Sequence, residues 1–278
     1  MLRLSSDRIL IALAPDSLAF LRISGGVRPR VIEKRTIACD PAFGAEPWQG
    51  AAAALGKLAK ETGDANAEVT VVLSNHFARF ILVPWSEGLG NAEEQTAFVR
   101  YCFAKVHGGE RSKNWDLRLT PTPAGSARIA SAVDAPLVQA VRAAFPAAAR
   151  AKLVSVQPYL MSAFNRWRKD VKGESAWFLL VEPQRACLAR LEGGRWSAVR
   201  NTRGNFDEPG QWAGLLDRER HRVGGDEASE GVYVHAPRNG KALSVEGEGW
   251  NFRSLALDPA EGLAPAESKP FAMALCAL

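Results

Sequence analysis

The chain has little of what usually announces a chemistry. Its four cysteines, Cys39, Cys102, Cys187 and Cys276, are widely scattered, with no CxxC pair and no histidine close by. That spacing gives neither a zinc site nor a disulfide framework and predicts small buried hydrophobes. The histidines form no HxxxH or HExxH pair, so His107, His221 and His235 predict no metal centre. No apolar run reaches the roughly 20 residues that span a bilayer. The N-terminal stretch is interrupted by Pro15 and Asp16 and then resumes strand-like alternation, so it reads as part of the fold rather than as a signal peptide. A cytoplasmic location follows as the default. Long runs of one charge are missing too. The densest basic segments, RWRKDVK at 166–172 and DRERHR at 217–222, both contain acids and predict solvated helix faces. Nucleic-acid binding would need a focused stripe or a known module, and neither is visible.

What is present is core. Apolar residues make up 47% of 278, enough for one large domain or two ordinary ones. Periodicity predicts strands over 8–14, 17–23 and 30–38, then a helix over 47–62 with proline near its start and Gly63 as its stop. Strands at 69–73 and 78–83 precede a helix over 91–106, which Asn91 caps and Gly108-Gly109 ends. Strands at 115–120 and 128–133 follow, then a helix over 135–145 capped by Asp134, a strand at 152–156 and a helix over 158–170. The pattern then restarts: strands at 176–181, 186–191 and 196–201, a helix over 209–222, strands at 231–235 and 252–256, and a helical close over 270–278. The glycine- and charge-rich stretch 237–250 predicts an exposed loop. Both halves open with three meandering strands and a helix. The expected division is 1–172 and 173–278, with a subdomain inserted at about 69–133.

Residues 69–85, VTVVLSNHFARFILVPW, hold two apolar runs around Ser74, Asn75 and His76. A serine nucleophile would need a carboxylate-oriented base and an oxyanion hole on a strand-to-helix elbow. Here the trio joins two strands, and asparagine is a natural turn residue, so the segment predicts a hairpin with a polar turn. Glu93 and Glu94 are adjacent on a helix, about 100° apart, and predict dipole complementation in its first turn. Most of the eight tryptophans fall at core positions; Trp85, beside Pro84, is a candidate for partly exposed contact.

A duplicated unit of three antiparallel strands followed by helix-crossover strands resembles the actin-like, ribonuclease-H-like α/β fold: two similar mixed-sheet halves with flanking helices. Three segments extend the likeness to the PilM type IV pilus assembly family and the cytoplasmic domain of its type II secretion counterpart, GspL. These are ALAPDSLAFLRI at 12–23, VVLSNHFARFILVPW at 71–85 and FAMALCAL at 271–278. In ATP-binding members of the fold, glycine-rich turns cradle phosphates because backbone N–H groups converge where no side chain intrudes. Against that pattern, Ala12 stands where the resemblance implies an aspartate, and Ala14 and Pro15 replace a glycine and a small hydroxyl residue. Glu182 is followed by Pro183, Gln184 and Arg185 in the second turn. Ala236 and Pro237 follow His235 where a Gly-Gly pair would meet adenosine. All three turns are degraded, so no nucleotide cofactor is expected.

The resemblance implies a non-enzymatic scaffold, peripheral at the inner membrane, that binds the cytoplasmic tail or domain of an inner-membrane assembly partner. The expected physical mode is an extended peptide in an apolar cleft between subdomains; the hairpin at 69–85 and the helix after it are the expected part of that surface, with Arg79, Phe80 and Trp85 as partner-binding residues. A homodimer is the oligomer to test. The competing reading is an active ATPase or small-molecule kinase using Asp16 or Glu182 to hold magnesium.

Overall fold

The computed structural model describes residues 6–89, 91–172, 175–224, 231–239, 246–247, 249–258 and 260–278. The chain opens with strands β1 (Asp7–Leu13), β2 (Ser17–Ile23) and β3 (Val31–Ala38), helix α1 (Gln49–Thr62) and strand β4 (Ala67–Leu73). Strand β5 (Ala78–Val83), helices α2 (Ala92–His107) and α3 (Gly109–Ser112), and strands β6 (Trp115–Leu119) and β7 (Arg128–Asp134) follow. Helix α4 (Ala135–Ala144), strand β8 (Lys152–Pro158) and helix α5 (Tyr159–Trp167) complete this stretch. The second series is β9 (Ser175–Glu182), β10 (Arg185–Glu192), β11 (Arg195–Arg203), α6 (Pro209–Val223), β12 (Gly231–His235), the two-residue β13 (Glu246–Gly247), β14 (Trp250–Ser254) and α7 (Ala272–Leu275).

Both large sheets follow one plan. The first has the order β3-β2-β1-β4-β8 and the second β11-β10-β9-β12-β14-β13. In each, a three-strand antiparallel meander continues into parallel strands, β1 to β4 to β8 and β9 to β12 to β14. Parallel strands buried on both faces carry near-continuous apolar runs; β9 (SAWFLLVE) does so, whereas β4 (AEVTVVL) alternates through Glu68 and Thr70 before its buried run Val71–Leu73.

Contacts divide the chain into two units. The first comprises Met1–Ala78, Val133–Arg166 and Leu257–Leu278, and the second Arg79–Ala132 and Trp167–Ala256. In the first, Leu10, Ala12, Ala19 and Leu21 pack against Phe271, Ala274 and Leu275, so the closing helix covers the first sheet. In the second, Trp177, Leu179, Ala186 and Leu188 meet Trp212, Leu215 and Leu216 of α6. A separate cluster joins Ile81 and Val83 to Val99 and Phe103 of α2 and to Trp115.

Helix ends follow their local chemistry. Asn91 accepts a hydrogen bond from the Glu94 N–H at 2.9 Å, and Gly108 (φ 89°) closes α2 by donating to the Ala104 carbonyl. Asp134 precedes α4 but makes no capping hydrogen bond. Of the expected loop 237–250, residues 240–245 and 248 lie outside the described residues. Within it Pro237–Asn239 form one 3₁₀ turn and Trp250 is buried.

The expected hairpin at 69–85 is corrected. β4 and β5 lie in different sheets: β4 pairs with β1 and β8, whereas β5 belongs to a small sheet of order β5-β7-β6. The reason is edge saturation. A strand has two hydrogen-bonding edges, and β1 and β8 occupy both edges of β4 along its length, so β5 finds its partner in β7.

Candidate functional site

The polar break between β4 and β5 is a buried structural turn. The Ser74 N–H donates to the Leu13 carbonyl at 2.9 Å, extending the β1–β4 ladder by one residue, and the Phe77 N–H returns to the Ser74 carbonyl at 2.9 Å. Ser74 Oγ accepts the His76 N–H at 3.1 Å. Ser74 and Asn75 are both fully buried. Asn75 Oδ1 accepts the Leu160 N–H at 3.2 Å. It thereby satisfies a first-turn donor of α5, which starts directly after Pro158.

Each of the three turns singled out in the sequence is closed by its own side chains and backbone. Ala12 is buried in the apolar cluster that includes Leu21 and Leu275. At the first turn the Ala14 N–H donates to the Ser17 carbonyl at 2.9 Å, and Ser17 Oγ donates to Asp16 Oδ1 at 2.9 Å. The proline adds no donor there. At the second turn Glu182 and Arg185 face each other across β9–β10, with Pro183 and Gln184 between them. Gln184 has φ 55°. Proline followed by a residue of positive φ is the signature of a type II turn, in which asparagine or glycine is the usual second residue. At the third turn His235 donates from Nδ1 to the Leu255 carbonyl at 2.9 Å, and its ring lies 4.5 Å from that of Trp167. Burial pushes the His235 pKa down to about 4, and the Leu255 hydrogen bond only partly opposes that. A neutral imidazole against an indole is what the end of β12 holds.

The remaining sequence candidates separate cleanly. His107 stacks beside Phe103 and Trp115 as an aromatic core member, and burial lowers its pKa. His221 is exposed, with Nδ1 2.7 Å from the Asp217 carbonyl. The thiols of Cys39, Cys102, Cys187 and Cys276 are raised above the ordinary range by burial, so they are poor nucleophiles. Glu93 and Glu94 are exposed in the first turn of α2. Among the described residues, no three His, Cys, Asp or Glu side chains gather as a metal site. A cavity of about 490 Å³ in the first unit is lined by paired charges, including Arg35 with Glu61 at 2.6 Å.

Arg79, Phe80 and Trp85 do not present one face. Arg79 is half-buried, with its guanidinium 4.5 Å above the Trp115 ring. Phe80, the next residue on the strand, points to the opposite face and is buried. Trp85 is 37% exposed under the Arg128 guanidinium, 5.5 Å from its ring centre. Arg128 in turn donates to Gln95 Oε1 at 3.1 Å. Nearby in the chain, α2 leaves Tyr101 and Val106 exposed, and Tyr101 stacks on Phe98.

Sequence reading missed a basic row. Arg203 lies directly opposite Arg185, which lies directly opposite Glu182. Counting back through the tight turn Gly193-Gly194 would have set Arg185 opposite Thr202; a register shift between Arg190 and Leu191 brings Arg203 there instead.

This is the actin-like ATPase fold: a solved Bacteroides thetaiotaomicron protein with that fold and unknown function matches at a TM-score of 0.58 and 11% identity, over 85% of each chain. Two assembly proteins share it across nearly their whole length. A chain of the PilM–PilN type IV pilus biogenesis complex has a TM-score of 0.65 and 18% identity, over 97% of this chain and 96% of the other. The cytoplasmic domain of EpsL, an inner-membrane component of the Vibrio cholerae type II secretion system, has a TM-score of 0.55 and 13% identity, over 97% and 95%. No protein-family model and no curated protein matches this chain.

Proposed function

We propose that the protein is a non-enzymatic scaffold at the cytoplasmic face of an inner-membrane assembly complex of the pilus or type II secretion kind, holding a cytoplasmic segment of a membrane partner. The observation that carries this reading is the near-complete correspondence with a chain of the PilM–PilN complex, at 97% of this chain and 96% of that one. The closure of all three turns by Pro15, Pro183 with Gln184, and the His235–Leu255 bond supports a scaffold over a nucleotide enzyme. No helix among the described residues is long and apolar enough to cross a membrane, so attachment would run through the partner. The surface we assign to it is Arg79 and Trp85. Phe80 supports that surface from the core side.

Two measurements test this reading. Isothermal titration with Mg-ATP is expected to give no binding heat up to millimolar nucleotide, and a micromolar Kd would restore the ATPase or kinase reading. In sedimentation with inner-membrane vesicles, the protein is expected to pellet with intact vesicles and to stay in solution with protein-free lipid. The double variant Arg79→Ala, Trp85→Ala should reduce pelleting about tenfold or more, the effect of removing two anchor residues at an interface. Equal pelleting of variant and parent would remove the assignment of that surface, and pelleting with bare lipid would remove the protein partner.

A further inference from the structure

The polar cavity of the first unit lies apart from the closed turns. It measures about 490 Å³ and sits at the N-terminal ends of β1 and β4, whereas the turns after Leu13 and Leu73 are at the other end of that sheet. The strand pattern opens it. On one face of β2 and β3 the cross-strand neighbours run Leu18–Ile37, Phe20–Arg35 and Arg22–Glu33, from apolar to charged. The charged end lines the cavity together with Glu61 in the last turn of α1, Asp64 just after it and Arg150 just ahead of β8. Ile9 and Ala65 add an apolar lining.

Two of the lining arginines are already engaged. Arg22 holds Asp7 Oδ2 through Nε at 2.8 Å and Nη2 at 2.7 Å. Arg35 donates from Nε to Glu33 Oε1 at 2.7 Å and from Nη1 to Glu61 Oε2 at 2.6 Å, one guanidinium between two carboxylates. Glu33 Oε2 and Glu61 Oε1 accept no hydrogen bond from a described residue. Asp64 and Arg150 are exposed, and neither forms an ion pair with a described residue. They are neighbours all the same. The Arg150 and Ala151 N–H groups both donate to the Gly63 carbonyl at 3.0 Å, which sets the chain ahead of β8 against the residue before Asp64.

Ion pairs at the end of a sheet carry it into solvent at little gain or cost. That accounts for Arg22 with Asp7. It does not account for Arg35 shared by two carboxylates, or for a carboxylate and a guanidinium at one rim of the same cavity that do not meet. The uncompensated lining groups are Asp64 and one carboxylate of the Glu33–Glu61 pair, against the single guanidinium of Arg150. Two anionic positions and one cationic position complement a molecule with two cations and one anion. The volume suits a small organic molecule, and among the described residues no three His, Cys, Asp or Glu side chains gather as a metal site. A guanidinium fork takes a carboxylate through paired N–H donors.

We propose that this cavity is a binding site for a free dibasic amino acid of the lysine, ornithine or arginine class. Arg150 takes the α-carboxylate, Asp64 beside it takes the α-ammonium, and the Glu33–Glu61 pair takes the side-chain cation, with the methylenes along Ile9 and Ala65.

The test is thermal unfolding of the full chain in about 20 mM lysine hydrochloride and in sodium chloride of matched ionic strength. Norleucine, which lacks the side-chain ammonium, and cadaverine, which lacks the carboxylate, are the comparison probes. Lysine is expected to raise the midpoint by about 3 °C over chloride, the shift for a site of roughly millimolar affinity in a chain of this size. Norleucine and cadaverine should each raise it by less than about 1 °C. Asp64→Asn and Arg150→Gln alter exposed side chains outside any ion pair, so each should leave the ligand-free midpoint within about 1 °C of the parent's. Arg150→Gln is expected to cut the lysine increment to the cadaverine level and to leave cadaverine's own increment unchanged. Asp64→Asn should cut the lysine increment to less than about a third. Equal midpoints in lysine and chloride, a norleucine or cadaverine increment as large as lysine's, or a lysine increment that survives either substitution overturns the site. Asp64 and Arg150 take no part in the Arg79–Trp85 surface, and the measurement involves no vesicle or partner, so either reading can fail without the other.

Discussion

Asn75→Ala is expected to lower the unfolding free energy by about 3 kcal/mol. The side chain is fully buried, and its Oδ1 is the acceptor for the Leu160 N–H at the start of α5. Alanine leaves that N–H buried without a partner, which costs about 1–3 kcal/mol, and the lost amide leaves a small void lined by packed residues. His76 is only half-buried, and it is its backbone N–H that binds Ser74 Oγ. His76→Ala should therefore cost less than about 1 kcal/mol, as most substitutions outside the core do. Urea unfolding orders the two variants, and amide exchange at Leu160 should accelerate in Asn75→Ala alone. An Asn75→Ala protein with the parent's midpoint and the parent's Leu160 protection would show that the side chain does not hold the helix start. A serine-centred site predicts a different ranking, with stability indifferent to all three residues or improved by their removal.

That turn also marks the boundary of what a linear reading reaches. Strand and helix positions were legible because each element carries its own period. Val31–Ala38 alternates in burial at every residue, and α2 has its Asn91 cap and Gly108 stop in plain view. The shared plan of the two large sheets was legible for the same reason, as the three-strand meander repeats. Partnering was not. Two apolar runs around a short polar break look alike whether they pair with each other or part into different sheets. What separates β4 from β5 is the presence of β1 and β8, about 60 residues before and 80 after the turn. Burial of single polar residues was equally hidden. Asn75 has strong turn propensity on the page, and only the packing of α5 turns it into a cap. The closed turns were easier to read because proline announces a missing donor without help from its neighbours. The Arg185–Arg203 pair was hidden as well, because a register shift between Arg190 and Leu191 moves the pairing by one residue from what counting through the turn gives.

Acid should reveal His235. With its pKa held at about 4 by burial, against about 6.5 in an unfolded chain, the folded protein binds fewer protons than the unfolded one between those values. The sign follows from linkage: stability supplied by the neutral imidazole is complete above pH 6.5 and drains away as pH falls, ending near pH 4. From pH 7.5 to 4.5 this one residue is expected to remove about 2–3 kcal/mol. Carboxylates also titrate in the lower part of that window, so the informative quantity is the difference between the parent and His235→Asn. The asparagine amide reproduces the Nδ1–H donor to the Leu255 carbonyl but cannot be protonated. It gives up the ring contact with Trp167, so it should cost about 1–2 kcal/mol at pH 7.5. Its loss on acidification should be about 2–3 kcal/mol smaller than the parent's, bringing the two proteins level or reversing their order by pH 4.5. Parallel pH curves would show that the ring reaches solvent and that the third turn opens. A turn that opens would also expose the end of β12, where the His235 ring lies against Trp167.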